Sequence, residues 1–189
     1  IDEDVETAIN SAQGVINSYL ERFELAYLAG MRAKLGLFEA HDSDITLVTE
    51  LLDCMAKNMA DYTLTFRRLS ELSAIKTEDN IEQDHSVSAL FEDPAEFDSW
   101  AAAWRHRLTQ EASEDSKRRT AMQKVNPAFI PRNHQVEAVI QAAVKDEDFG
   151  LFEELVTLLA QPYHDQPAYQ KYAIPPMPEE IVRQTFCGT

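Results

Sequence analysis

The chain has 189 residues, with 33 acidic against 17 basic side chains and a net charge of −16. That balance weighs against nucleic acid, which needs a basic surface to displace counterions, and against docking on anionic lipid. A 44% hydrophobic fraction is ordinary for a globular protein and argues against a disordered chain, and no apolar run approaches the roughly 18 residues that cross a bilayer.

Five glycines are few for this length, and strands with tight hairpins consume glycine, so the expectation is an all-α chain read as a single domain. Val5, Ile9, Ile16, Tyr19, Leu20, Phe23 and Tyr27 mark one long amphipathic helix, with Gly14 and Gly30 as weak points. Asp42, Ser43 or Asp44 can cap a second helix whose stripe is Ile45, Val48, Leu52, Met55 and Met59. Asp61 caps or continues into a third segment with Tyr62, Phe66 and Leu69. Residues 74–93 are polar and poorly periodic, which reads as a loop.

Pro94 suits the first turn of a helix carrying Phe97, Trp100, Trp104 and Leu108. A charged helix from about Ser113 to Lys124 ends before Asn126-Pro127. Pro131 opens another, with Val136, Val139, Ile140, Ala143 and Val144 expected inward. Asp146 to Gly150 reads as a turn before a last helix marked by Phe152, Leu155, Leu158 and Leu159. From Pro162 onward the proline density forbids a continuous helix, so an extended tail with a short closing turn near Ile181 is expected.

The start, Ile1-Asp2-Glu3-Asp4, is acidic and unlike a secretory signal. The chain does not begin with Met, which suggests processing or excision from something longer. Cys54 and Cys187, far apart, suit neither a disulfide scaffold nor a cysteine-built zinc site, and a reducing compartment is the natural setting.

The candidate chemistry is sparse. Asp148-Phe149-Gly150 spells the metal-binding tripeptide of protein kinases, but a helical pattern precedes it instead of a catalytic loop and a strand. A capping Asp with a permissive Gly between two helices explains it equally. Neither G-x-G-x-x-G nor Gly-Lys-Ser/Thr occurs, so nucleotide binding by this chain alone has no support. His41, His85, His106, His134 and His164 are scattered, and no His-Glu-x-x-His unites any two. The pairs Glu153-Glu154 and Glu179-Glu180 read as solvated faces, and a Gly-x-Ser-x-Gly elbow is missing. Phe97, Trp100 and Trp104 could form an aromatic shelf, but their helical spacing reads as core. Cys54 sits on an apolar helix as a buried, inert thiol. Cys187 is third from the end, where exposure would leave it open to oxidation or exchange, making it the one candidate redox or regulatory residue.

Several stretches together form a recognisable set. They are Met31-Arg32-Ala33-Lys34-Leu35-Gly36-Leu37, then Asp61-Tyr62-Thr63-Leu64-Thr65-Phe66-Arg67-Arg68-Leu69. Next come Phe97-Asp98-Ser99-Trp100 with Trp104 and Arg107-Leu108, Val125-Asn126-Pro127 and Pro131-Arg132-Asn133. Last are Pro162-Tyr163 through Tyr172, Pro175-Pro176 and a cysteine near the terminus. In this order and spacing they resemble the C-terminal part of the selenoprotein O family; His134 departs from the aromatic residue common in that family at its position. The resemblance implies the helical C-terminal portion of a protein-kinase-like (pseudokinase) fold. Residues 1–72 would lie at the rear of its C-lobe, 94–160 in a family-specific helical extension and 161–189 in the tail. It implies a parent protein that transfers AMP from ATP to Ser, Thr or Tyr hydroxyls of proteins with Mg or Mn. The ATP and metal sites would lie in an N-terminal catalytic region absent here, so catalytic, cofactor-binding and metal residues in this chain are none.

In this family Cys187 matches a C-terminal cysteine or selenocysteine, which implies a redox tether to the catalytic part. The expected partners are that region and the parent's protein substrates; the expected compartment is the bacterial cytoplasm, with mitochondria as the alternative. The competing reading is a free-standing acidic helical module that binds a partner protein. The two readings differ in what the N-terminal surface meets: a removed catalytic lobe should leave an apolar patch of several hundred Å², larger than a normal monomer shows.

Overall fold

A computed structural model describes residues 4–78 and 81–184, with Glu6 described by its backbone only. All regular elements among them are helical: α1 (Val5–Leu35), α2 (Asp44–Lys57), α3 (Tyr62–Leu69), α4 (Ile81–Ser88), α5 (Pro94–Leu108), α6 (Asp115–Gln123), α7 (Asn133–Asp146) and α8 (Gly150–Leu159). Two 3₁₀ turns follow, Pro167–Ala173 and Pro178–Glu180.

The larger core gathers the last turns of α1 with α2 to α6. Met31 and Leu35 of α1, Val48 and Leu51 of α2, Phe66 and Leu69 of α3, and Phe97, Trp100 and Trp104 of α5 are all buried. The aromatic run of α5 is therefore core. Trp100 and Trp104 stack with ring centroids 6.0 Å apart, and their indole N–H groups donate to Leu47 O and Leu35 O, each at 2.9 Å. A buried indole needs such a partner, and each backbone carbonyl supplies one. Pro94 occupies the first turn of α5 behind the Asp93 cap, and Asp61 caps α3 by accepting from Leu64 N at 2.8 Å.

A smaller core joins α7 and α8 to the segments around them through Phe129, Val139, Leu155, Leu158 and Tyr172. It is tied to the larger core by two arginines. Arg132 grips the Asp61 carboxylate through both terminal nitrogens at 2.7 and 3.0 Å. Arg67 donates from Nη1 to the carbonyls of Asn126 and Tyr163, both at 3.2 Å, and its Nη2 lies 2.7 Å from Asp165 Oδ1.

Several sequence expectations shift. Residues 74–93 are not a loop throughout, since Ile81–Ser88 forms α4. That helix offers little apolar periodicity; buried Val87 and an ion pair from Asp84 to Arg105 hold it instead. On α2 the buried face is Leu47, Val48, Leu51, Cys54 and Met55, while Ile45 is exposed; Met59, expected on the same stripe, lies past the helix end and is exposed too. The expected stripe is corrected at Leu52, which is only partly buried; its neighbour Leu51 takes the fully buried position where α2 packs against α5. On α7, Val139 is buried, but Ile140 and Val144 face outward. That helix begins at Asn133, two residues after Pro131. The prolines after 162 leave room for the two 3₁₀ turns, and Tyr172 in the first is buried.

Candidate functional site

The first helix is anchored at one end and bare along the rest. Its last four carbonyls all find partners. Leu37 N donates to Arg32 O at 2.9 Å and Gly36 N to Ala33 O at 3.2 Å, the paired closure of a helix ending in a left-handed residue. Asn126 Nδ2 donates to Lys34 O and Trp104 Nε1 to Leu35 O, each at 2.9 Å. Gly36 has φ +70, and an added Cβ would meet Arg118 Cγ at 2.6 Å and Met122 Sδ at 2.7 Å, so the close approach of α6 requires glycine here.

An ionic cluster fixes the loop after this helix. Asp44, fully buried, accepts from Arg32 Nε at 2.6 Å, Arg107 Nε at 2.8 Å and His41 N at 2.9 Å. Burial alone would raise its carboxyl pKa; Arg107, the His41 amide and Arg32 outweigh that and hold it below the ordinary carboxylate range. Glu111 accepts from Phe38 N and Glu39 N at 2.9 and 3.1 Å, and Arg107 Nη2 donates to Glu39 O at 2.7 Å. Lys34 adds a clamp: its Nζ reaches Val125 O and Asn126 Oδ1 at 3.2 Å and lies over the rings of Tyr62 and Phe66. Burial lowers its pKa.

Upstream of Leu28 this support stops. Val5, Ile9, Ile16, Tyr19, Leu20, Phe23 and Tyr27, the stripe expected from the sequence, are all exposed, Tyr19 to 67%. Tyr19, Phe23 and Tyr27 stack in a ladder with centroids 6.1 and 6.0 Å apart. The helix runs unbroken through Gly14 and Gly30. From Val5 to Tyr27 it extends roughly 33 Å at 1.5 Å per residue. A lone surface helix normally buries one stripe against a core, and this one presents its stripe to solvent.

The residues singled out from sequence fall as follows. Asp148 Oδ1 accepts from Gly150 N at 2.8 Å, an ordinary turn between α7 and α8. Cys54 is buried, and desolvation followed by Glu96 raises its thiol pKa, which suppresses the thiolate. His134 adjoins Gln135 and His164 adjoins Gln161; no metal-ligating group of three His, Cys, Asp or Glu side chains occurs among the described residues. Glu154 is a structural partner of Tyr172 and Lys171. Cys187 lies outside the described residues. The Asp44 cluster and the Arg67 and Arg132 clasps were not foreseen; the signal was an arginine, Arg107, between Trp104 and Leu108 on a helix that otherwise reads as core.

No helix among the described residues is long and apolar enough to cross a membrane. Comparison with known proteins covers nearly the whole chain. It is 53% identical over 99% of its length to "Protein nucleotidyltransferase YdiU" of Bradyrhizobium diazoefficiens. It is 52% identical over its full length to the protein of that name from Rhodopseudomonas palustris, and 49% to that from Rhizobium rhizogenes. In each case the chain spans 37% of the relative's own length. Residues 3–160 match the family described as "Protein adenylyltransferase SelO". The chain belongs to that family.

Proposed function

We propose that this chain is the C-terminal structural and regulatory part of a bacterial cytoplasmic protein adenylyltransferase. The whole protein would move AMP from ATP to Ser, Thr or Tyr hydroxyls of other proteins. ATP and Mg or Mn belong, on this reading, to a kinase-like catalytic region outside this chain, and the chain alone is inactive. The observation that carries the reading is the bare stripe of α1. Seven apolar side chains stand in solvent on a helix whose other end is locked into the core. Fully burying such side chains is worth about 1.5–3 kcal/mol each, a gross gain of roughly 10 kcal/mol or more for the stripe. Nearly two thirds of each relative's length lies outside this chain, ample to cover it. Cys187 is proposed as a tether to a cysteine of that region, with a disulfide of an exchange partner accepting the two electrons and two protons released.

The test divides the full-length polypeptide into this chain and the remainder, purified separately. The expected result is that the two associate and that the pair transfers labelled AMP to protein, while this chain alone does not. Tyr19→Asp with Phe23→Asp should abolish association and leave the melting of this chain unchanged. Association undisturbed by that pair, or failure of the pieces to associate, overturns the docking assignment. AMP transfer by this chain alone overturns the assignment of catalysis elsewhere.

A further inference from the structure

A second feature is independent of the α1 stripe. A cleft of about 450 Å³ opens at the seam between the two cores, among α3, the end of α4, α6 and the turn Pro167–Ala173. Seams between packed units are frequent small-molecule sites, and this volume lies in their usual range. Leu64, Leu90, Phe129, Ile174 and Pro175 supply an apolar wall, and Phe129 is nearly fully buried behind it.

The cleft also collects Arg67, Arg68 and Arg119, three of the 17 basic residues of a strongly acidic chain. Two carboxylates share it, Glu71 and Asp165, and both are occupied. Glu71 accepts from Gln123 Nε2 at 2.6 Å and pairs with Arg119, and Asp165 pairs with Arg67. Arg67 is spent on the carbonyls and carboxylate that join the cores. Arg68 and Arg119 are not. Arg68 uses Nη1 on Ser86 O at 2.6 Å, and Arg119 uses Nη2 on Glu71. Among the described residues neither guanidinium hydrogen-bonds or ion-pairs with a further residue, where Arg67 serves four. Three cations against two neutralised carboxylates leave a net positive hollow with apolar walls, and guanidinium groups match phosphate and carboxylate oxygens in geometry.

We infer that this cleft binds a small organic anion. Arg68 and Arg119 hold its phosphate or carboxylate head, and its apolar body lies along Leu64, Phe129 and Ile174. Bound there, the anion touches both cores.

The test is a titration of the chain with 1-naphthyl phosphate, 1-naphthoate and neutral 1-naphthol, by calorimetry and by amide chemical shifts. The expected result is saturable binding of one or both anions with Kd below about 1 mM, shifts at Leu64, Phe129 and Ile174, and much weaker binding of the naphthol. The two anion arms show whether phosphate or carboxylate is preferred. Arg68→Gln with Arg119→Gln should weaken binding roughly tenfold or more, as loss of charged hydrogen bonds requires. Lys117→Gln with Lys124→Gln, in a different hollow, should leave Kd unchanged. Ile174→Glu, at an exposed position, gives the same loss by a second route if the arginine pair fails to fold. Absence of saturation by about 5 mM of either anion, or equal binding by the chain, the arginine pair and Ile174→Glu, overturns the assignment.

Discussion

Replacing Asp44 by Asn tests whether the ionic cluster anchors the end of α1. The substitution conserves shape and removes one charge from a site with no solvent exposure. Three donors, Arg32 Nε, Arg107 Nε and the His41 amide, then converge on an uncharged amide whose nitrogen is itself a donor. Removing one partner of a buried pair costs about 3–5 kcal/mol, and Glu111, 2.9 Å from Arg107 Nη1, retains part of the compensation. A loss of about 3 kcal/mol is expected, which for a chain of this length lowers Tm by roughly 6–12 °C. Urea titrations followed by circular dichroism measure it. The pH dependence carries the mechanism. The folded pKa of Asp44 lies below its unfolded value of about 3.9. Its contribution is therefore complete above the unfolded pKa and fades as pH falls through the folded one. The gap between native and variant chains should be widest at neutral pH and close below about pH 4. A loss under about 1 kcal/mol at pH 7, or a gap that stays constant into acid, refutes the account.

Gly36→Ala should cost about 2 kcal/mol or more in the same assay, because φ +70 is strained for alanine and its Cβ would collide with Arg118 and Met122. Met59, exposed and also left-handed at φ 50, should behave oppositely: Met59→Gly raises stability by about 0.5 kcal/mol. Arg132→Met should loosen the smaller core first, so amides of α7 and α8 exchange hydrogen faster while those of α5 do not. In a Cys187→Ser chain, where Cys54 is the one thiol left, an aromatic disulfide reagent should react only as the chain unfolds, and prompt reaction of that folded variant would contradict the burial and raised pKa of Cys54.

The sequence made most helices legible because periodic apolar residues and turn residues agree locally, as with Asp93-Pro94 opening α5 and Asn126-Pro127 following α6. It failed where tertiary contact decides. The helix α4 has almost no apolar stripe of its own and depends on Val87 and the Asp84 to Arg105 pair, 21 positions apart. That α2 buries Leu51 fully and Leu52 only in part is set by its packing against α5. The seam cleft was illegible for the same reason. Arg68, Arg119 and Ile174 have no pattern in sequence and meet only after both cores have formed.

The segments that carry the family resemblance turn out to be joints. Arg32 and Gly36 close α1, Asp61 and Arg67 reach across to the smaller core, Asn126 caps the Lys34 carbonyl, and Arg132 completes the clasp. Each residue type is demanded by geometry: a glycine for a left-handed bend under α6, arginines for several acceptors at once, an asparagine to donate and accept together. A chain built this way holds the direction of α1 firmly at its C-terminal end. Rigid support for a helix has a physical use only if something meets the other end. A helix standing alone in water over more than 20 residues gains little from propensity and nothing from its apolar stripe. On the docking proposed above, the stiff root and the bare stripe belong to one design: a catalytic region packed along Tyr19, Phe23 and Tyr27 would be held in a fixed position relative to the helical cores.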